Sequence, residues 1–114
     1  MVVLVVDDEP LIRLGVASLL EELGHDAIDA STGRQALQLL REHPSIDLML
    51  TDFRMPGLSG LELIAECRTI RPDIKIILMT GYSSVDYTFP ADCPVRLEKP
   101  FSIHDLMTAI TDVT

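Results

Sequence analysis

Val2-Val3-Leu4-Val5-Val6-Asp7-Asp8, residues 2–8, runs through five apolar residues and stops at two adjacent carboxylates. A segment of that length, β-branched apart from Leu4, reads as a strand buried on both faces, as in the middle of a parallel sheet. The same punctuation returns three times: Leu48-Met49-Leu50-Thr51 before Asp52, Ile76-Ile77-Leu78-Met79 before Thr80, and Val95-Arg96-Leu97-Glu98 before Lys99. In open α/β sheets the ligand crevice lies beyond the carboxyl ends of the strands. Three carboxylates (Asp7, Asp8, Asp52), one hydroxyl (Thr80) and one ammonium (Lys99) are therefore expected to converge on one spot.

Between these strands the pattern turns helical. Pro10 allows a helix to start, with Ile12, Val16, Leu19 or Leu20, and Leu23 on one face and Gly24 as its stop. A weak strand over 27–30 follows, and Thr32-Gly33 leads into a second helix with Ala36, Leu37 and Leu40 inward, ended by Pro44. The third strand is expected over 46–51, then a loop over 53–60 with Pro56 and two glycines. A third helix carries Leu63, Ile64, Cys67 and Ile70 inward, Arg71-Pro72 breaks it, and the fourth strand spans 74–79. From 81 to 94 the pattern is poor, and Pro90 and Pro94 leave room for a turn or two, so the fourth crossover helix is expected to be short or irregular. Residues 95–98 alternate like a half-exposed edge strand. Ser102 with Asp105 matches a capping box, and Ile103, Leu106, Ile110 and Val113 line the last helix. The alternation predicts an α/β fold: one (βα)5 domain over 1–114 with a doubly wound five-stranded parallel sheet and no second domain. Its second and fifth strands, the most polar, belong at the edges, where the order 2-1-3-4-5 would put them.

At 114 residues the chain can build one core without disulfide or metal staples. A composition 47% hydrophobic and 24% charged argues against disorder. The net charge of −9 offers no basic footprint for phosphate backbones, which argues against nucleic-acid binding by this domain. Cys67 and Cys93 have neither metal-ligand nor disulfide spacing, and Cys67 falls on a helix's apolar face as a small hydrophobe. The apolar opening is too short for a signal peptide and lacks a basic flank. No stretch approaches the ~20 apolar residues of a membrane span. A cytoplasmic address and no membrane partner are expected.

Asp7, Asp8 and Asp52 crowded together would repel one another, and a hard divalent cation resolves the conflict. All-oxygen donors select Mg²⁺, Mn²⁺ or Ca²⁺. Taken alone, Asp7-Asp8 is better explained by Asp8 capping the first helix and Asp7 lying in solvent; the company of Asp52, Thr80 and Lys99 turns the balance to the cation. Lys99 supplies a point charge for phosphate and Thr80 a hydrogen bond to a phosphoryl oxygen. A carboxylate can attack phosphorus to give an aspartyl phosphate, and phosphoryl transfer asks the protein chiefly for position and charge neutralisation. Asp52 is the nucleophile candidate. No Gly-rich phosphate loop supplies a nucleotide site, so the phosphoryl group must come from a partner or a small donor.

With those residues assembled, the chain resembles the receiver domain of bacterial two-component response regulators, of the chemotaxis-regulator kind. The resemblance rests on VVLVVDDEP, IDLMLTDFRMPGLSG, IILMTG and RLEKPF, in that order, and covers essentially the whole chain. It implies a flavodoxin-like sheet of order 2-1-3-4-5, an order that belongs to the family rather than to the pattern alone. It implies that Asp52 takes a phosphoryl group from a histidine kinase's phosphohistidine. Mg²⁺ would be ligated by Asp8, Asp52 and the backbone carbonyl of Arg54, with Asp7 acting largely through water, while Thr80 and Lys99 read the phosphate. Phosphorylation would then bias a two-state surface that binds a downstream protein.

Two departures from the family pattern stand out. Arg96 occupies a position, three before the lysine, that is usually an aromatic switch residue, and the fourth crossover is short. Together they suggest an unusual output surface and a monomer. Arg54 and Tyr82, two residues after Asp52 and Thr80, sit where family members tune water's access to the phosphate: either Arg54 lies near the phosphoryl group and Tyr82 partly shields it, lengthening its lifetime, or, equally well, both side chains extend into solvent. The chain is expected to assist its own phosphorylation and dephosphorylation without being an enzyme. Stand-alone regulator, receiver piece of a hybrid histidine kinase, and phosphorelay intermediate or phosphate sink are all compatible with the sequence. A Mg²⁺-dependent phosphatase with an aspartyl nucleophile is a remote alternative, since such enzymes place Asp-x-Asp after the first strand. A flavodoxin-like electron carrier is disfavoured, because Asp7-Asp8-Glu9 would repel a flavin's phosphate.

Overall fold

The computed structural model describes residues 1–81 and 95–114. Five parallel strands, β1 (Val2–Val6), β2 (Asp26–Ala30), β3 (Leu48–Asp52), β4 (Lys75–Thr80) and β5 (Val95–Glu98), pair in the order β2-β1-β3-β4-β5. The described helices are α1 (Pro10–Glu22), α2 (Gly33–Glu42), α3 (Gly60–Ile70) and α4 (Ile103–Val113). The expected short fourth crossover helix, together with Tyr82, Pro90, Cys93 and Pro94, lies outside the described residues.

Successive strand residues point to opposite faces, and the core accordingly forms two layers. Leu4, Val6, Met49 and Leu78 pack with Ala36 and Leu40 of α2 and Leu63, Ile64 and Cys67 of α3. Val3, Val5, Leu50 and Ile77 pack with Val16 and Leu20 of α1 and Leu106, Ala109 and Ile110 of α4. Each fully buried leucine such as Leu50 or Leu63 contributes about 1.5–3 kcal/mol relative to exposure. All of β3 is buried, whereas Ala30 is the only buried residue of β2 and Leu97 the only one of β5, so the polar strands sit at the edges as expected. Burial pushes the Cys67 thiol up to about 11, in keeping with its reading as an apolar filler.

Three strands run to other bounds than expected: the second, expected over 27–30, runs Asp26–Ala30. The third was expected over 46–51 and runs Leu48–Asp52; the fourth was expected over 74–79 and runs Lys75–Thr80. Ile46 is fully buried, but its N–H donates to the His43 carbonyl at 3.2 Å, so a turn takes it out of the ladder. At the other end the sheet holds Asp52 opposite Met79 and Thr80 opposite Glu98. The two polar residues are thus the last rungs of rigid strands rather than the first residues of loops.

Candidate functional site

The carboxyl ends of β1, β3 and β4 meet at one lysine. Lys99 follows β5, and its backbone N–H donates to the Thr80 carbonyl at 2.6 Å. Its Nζ lies 3.0 Å from Asp7 Oδ2 and 3.0 Å from Asp52 Oδ1. Asp7 is fully buried, and its Oδ1 accepts the Glu9 N–H at 2.9 Å. Asp52 Oδ1 also accepts the Phe53 N–H at 2.9 Å. Thr80 is buried at the end of β4, while Asp8 is exposed. Asp8 does not cap α1: Glu9 occupies the N-cap position, with no side-chain capping bond.

Burial pushes the Asp52 carboxyl above its ordinary value, and the neighbouring Asp7 carboxylate adds to that; the Lys99 ammonium and the Phe53 N–H only partly offset it. For Lys99, burial acts to lower the ammonium's pKa, but hydrogen bonds and charge from Asp52 and Asp7 outweigh it and the group ends above its ordinary value. Two buried carboxylates therefore share a single cation among the described protein groups within bonding distance. Ligand oxygens of Asp7, Asp8 and Asp52 lie within 4.8 Å of one another, so this donor set fits a hard cation that prefers oxygen.

The cluster opens into a cavity of about 850 Å³ whose lining includes Asp8, Asp52, Arg54, Lys99 and, from α1, Leu11 and Ile12. Arg54 reaches this cavity, with its guanidinium carbon 5.1 Å from the Phe53 ring centroid. Arg96 is exposed on β5 and lines a different groove, between β5 and α4, with Glu98, His104 and Asp112. Tyr82 lies outside the described residues.

Two supporting residues escaped the sequence reading. Gly60 opens α3, and a Cβ there would overlap the Asp52 carbonyl oxygen; its N–H donates to the Phe53 carbonyl at 2.9 Å. Only glycine lets the helix start so close beneath β3. The signal was the final glycine of the MPGLSG stretch. Arg13, in the first turn of α1, donates to the Asp7 carbonyl at 2.9 Å, and nothing in the sequence marked it.

A family model described as the response regulator receiver domain matches residues 3–111. The chain is 34% identical over 115 residues to the sensor kinase CckA of Brucella abortus (strain 2308), covering 97% of this chain and 12% of that one. It is 35% identical over 112 residues to the response regulator receiver protein CpdR of the same strain, covering 95% of this chain and 92% of that one. Among solved structures it is similar to the response regulator protein TrrA of Thermotoga maritima in complex with Mg²⁺-BeF, with a TM-score of 0.87 and 34% identity over 99% of this chain and 98% of that one. Among the described residues no helix is long and apolar enough to cross a membrane.

Proposed function

The chain belongs to the response regulator receiver family, and from that premise we propose that Asp52 is its phosphoacceptor and that Asp7, Asp8 and Asp52, with the Arg54 carbonyl, hold Mg²⁺. The observation that carries this reading is Lys99 Nζ, 3.0 Å from carboxylates at the ends of two different strands. A carboxylate oxygen of Asp52 forms the new O–P bond as the P–N bond of a histidine kinase's phosphohistidine breaks, and the electron pair leaves with the imidazole nitrogen. Bound Mg²⁺ supplies charge neutralisation for the phosphoryl oxygens. Lys99 transfers its hydrogen bond from the carboxylate to a phosphoryl oxygen, and Thr80 donates a second. Arg54, in the lining of this cavity, limits water's access to the acyl phosphate.

The phosphodonor has to reach this cavity, and α1 borders it with Leu11, 87% exposed. An exposed leucine beside a reactive cleft suits docking of an apolar partner surface. The chain turns over no separate substrate; it assists its own phosphorylation and dephosphorylation and works as a cytoplasmic monomer that switches a downstream protein. The Mg²⁺-dependent phosphatase reading is not favoured, because the family match and the adjacent Asp7-Asp8 pair both point to the receiver class.

Incubation with acetyl phosphate and Mg²⁺ followed by intact mass measurement tests this. Gain of one phosphoryl group is expected, absent without Mg²⁺ and absent in Asp52→Asn. A product that forms equally well in Asp52→Asn would refute the assignment.

A further inference from the structure

Arg13 makes two contacts that link separate strands. Its Nε donates to Asp29 Oδ2 on β2 at 2.7 Å, and its Nη1 donates to the Asp7 backbone carbonyl at 2.9 Å. The Arg13 side chain is 15% exposed and that of Asp29 46% exposed. The other polar atoms of Asp7 already have partners: its N–H donates to the Ala30 carbonyl at 3.2 Å, Oδ1 accepts from Glu9 and Oδ2 from Lys99. Arg13 therefore completes the restraint of this residue.

The Asp7 carbonyl lies in the same rigid peptide plane as the Asp8 nitrogen. Fixing that carbonyl fixes the direction in which Asp8 leaves β1. Asp8 is exposed and has no hydrogen-bonded side-chain partner among the described residues, so its approach to Asp7 and Asp52 is set through the backbone. We propose that Arg13, held in place by Asp29, is a positioning residue that orients the Asp7-Asp8 peptide so that the Asp8 carboxylate is aimed at the cation site before a cation binds. The inference rests on the reading of that cluster as a Mg²⁺ site.

The sign of the effect separates positioning from charge. A guanidinium beside an acidic cluster, acting through its charge alone, would oppose a divalent cation, and its removal would tighten binding. Positioning requires the reverse. It also requires a fork with two donors, which the single ammonium of lysine does not reproduce.

The experiment is a calorimetric Mg²⁺ titration of the wild-type protein and of Arg13→Ala, Arg13→Lys and Asp29→Ala, with metal-free melting temperatures taken alongside. Arg13→Ala and Arg13→Lys are expected to bind Mg²⁺ about tenfold more weakly, the low end of the loss when a metal ligand's supporting partner is removed. Asp29→Ala should weaken binding in the same direction by a smaller factor. Should Arg13→Ala fail to fold, the charge-conserving Arg13→Lys still decides, and Asp29→Ala, whose lost carboxylate would weaken cation binding by charge as well, serves as its companion. Unchanged or tighter Mg²⁺ binding in Arg13→Lys overturns the proposal, even if its melting temperature falls, because a purely structural staple would do only that. A wild-type protein that takes up no Mg²⁺ would instead bring down the metal reading itself, and this inference with it.

Discussion

Asp52 closes β3 and Asp105 opens α4, and the two aspartates are displaced in opposite directions from the same ordinary pKa of 3.8. Around Asp52, burial and the nearby Asp7 outweigh the Lys99 and Phe53 donors, so the charged form is disfavoured. Around Asp105, in a fully exposed position, the Ser102 backbone N–H and hydroxyl favour the charged form, and His104 adds a little. Glu62 at the start of α3 repeats the second pattern with Ser59. A capping carboxylate is satisfied where it stands. The strand-end cluster is left short of positive charge, and that shortage suits it to receive a cation and a phosphoryl group.

Removing Lys99 should have the largest effect on stability. Lys99→Ala would leave buried Asp7 and Asp52 without their shared cation. Breaking a buried pair costs about 3–5 kcal/mol; with Lys99 19% exposed and able to admit water, about 2–3 kcal/mol is expected here. Denaturant unfolding without metal would measure it. Saturating Mg²⁺ should restore more stability to this variant than it adds to the wild type. A variant as stable as wild type in both conditions would make the cluster no more demanding than the caps.

Gly60→Ala comes next. The new Cβ would meet backbone, the Asp52 carbonyl oxygen, which cannot rotate away. The start of α3 must shift, at a cost of about 1–3 kcal/mol, typical of overpacking. Because the shift falls on Asp52 itself, phosphoryl uptake from acetyl phosphate should slow in parallel. A loss of stability with an unchanged uptake rate would detach the helix start from the site.

Gly60 also marks where sequence reasoning ran short. Strand-end acids announce themselves, because an apolar run that stops at a carboxylate is visible in one dimension, and the meeting of Asp7, Asp8 and Asp52 with Lys99 was legible from such runs. The edge strands were legible from their polarity, and the Ser102–Asp105 box from its spacing. A close approach of backbone to backbone leaves no such trace, and neither does a side chain that acts on another residue's carbonyl, as Arg13 does. Ile46 misled for a related reason: apolar and fully buried, it looks like strand, yet the His43 turn claims its N–H. Burial is written in composition, while hydrogen-bond partners are set by tertiary placement.

Ser59→Ala and Ser102→Ala probe the other side of the contrast. Each removes a side-chain acceptor, used by the Glu62 N–H in α3 and the Asp105 N–H in α4. A loss of about 1 kcal/mol is expected for each, the usual cost of replacing a capping serine. Neither should alter Mg²⁺ affinity. If Ser59→Ala weakened Mg²⁺ binding, the α3 cap would have to be counted with the pocket it borders through Gly60.

The smallest expected effect is in the pH dependence of metal-free stability, and its sign separates the two groups of acids. Asp105 and Glu62 have folded pKa values below their ordinary 3.8 and 4.5. Their contribution is present above those ordinary values and is lost as pH falls through the depressed ones. Asp52 has a raised folded pKa, so its contribution is fully present below 3.8 and is lost as pH rises through the raised value. Asp52→Asn should therefore remove a fall in stability on the alkaline side of 3.8, whereas Asp105→Asn should remove one on the acid side. Thermal melts across pH 3 to 7 without metal, compared with wild type, read both slopes. Adding Mg²⁺ should abolish the Asp52 slope first, since a bound cation favours the ionised carboxylate, and should leave the Asp105 slope untouched. Equal slopes of the same sign in both variants would mean that the strand-end acid is satisfied as fully as a helix cap, and the pocket would lose its physical motive for binding a cation.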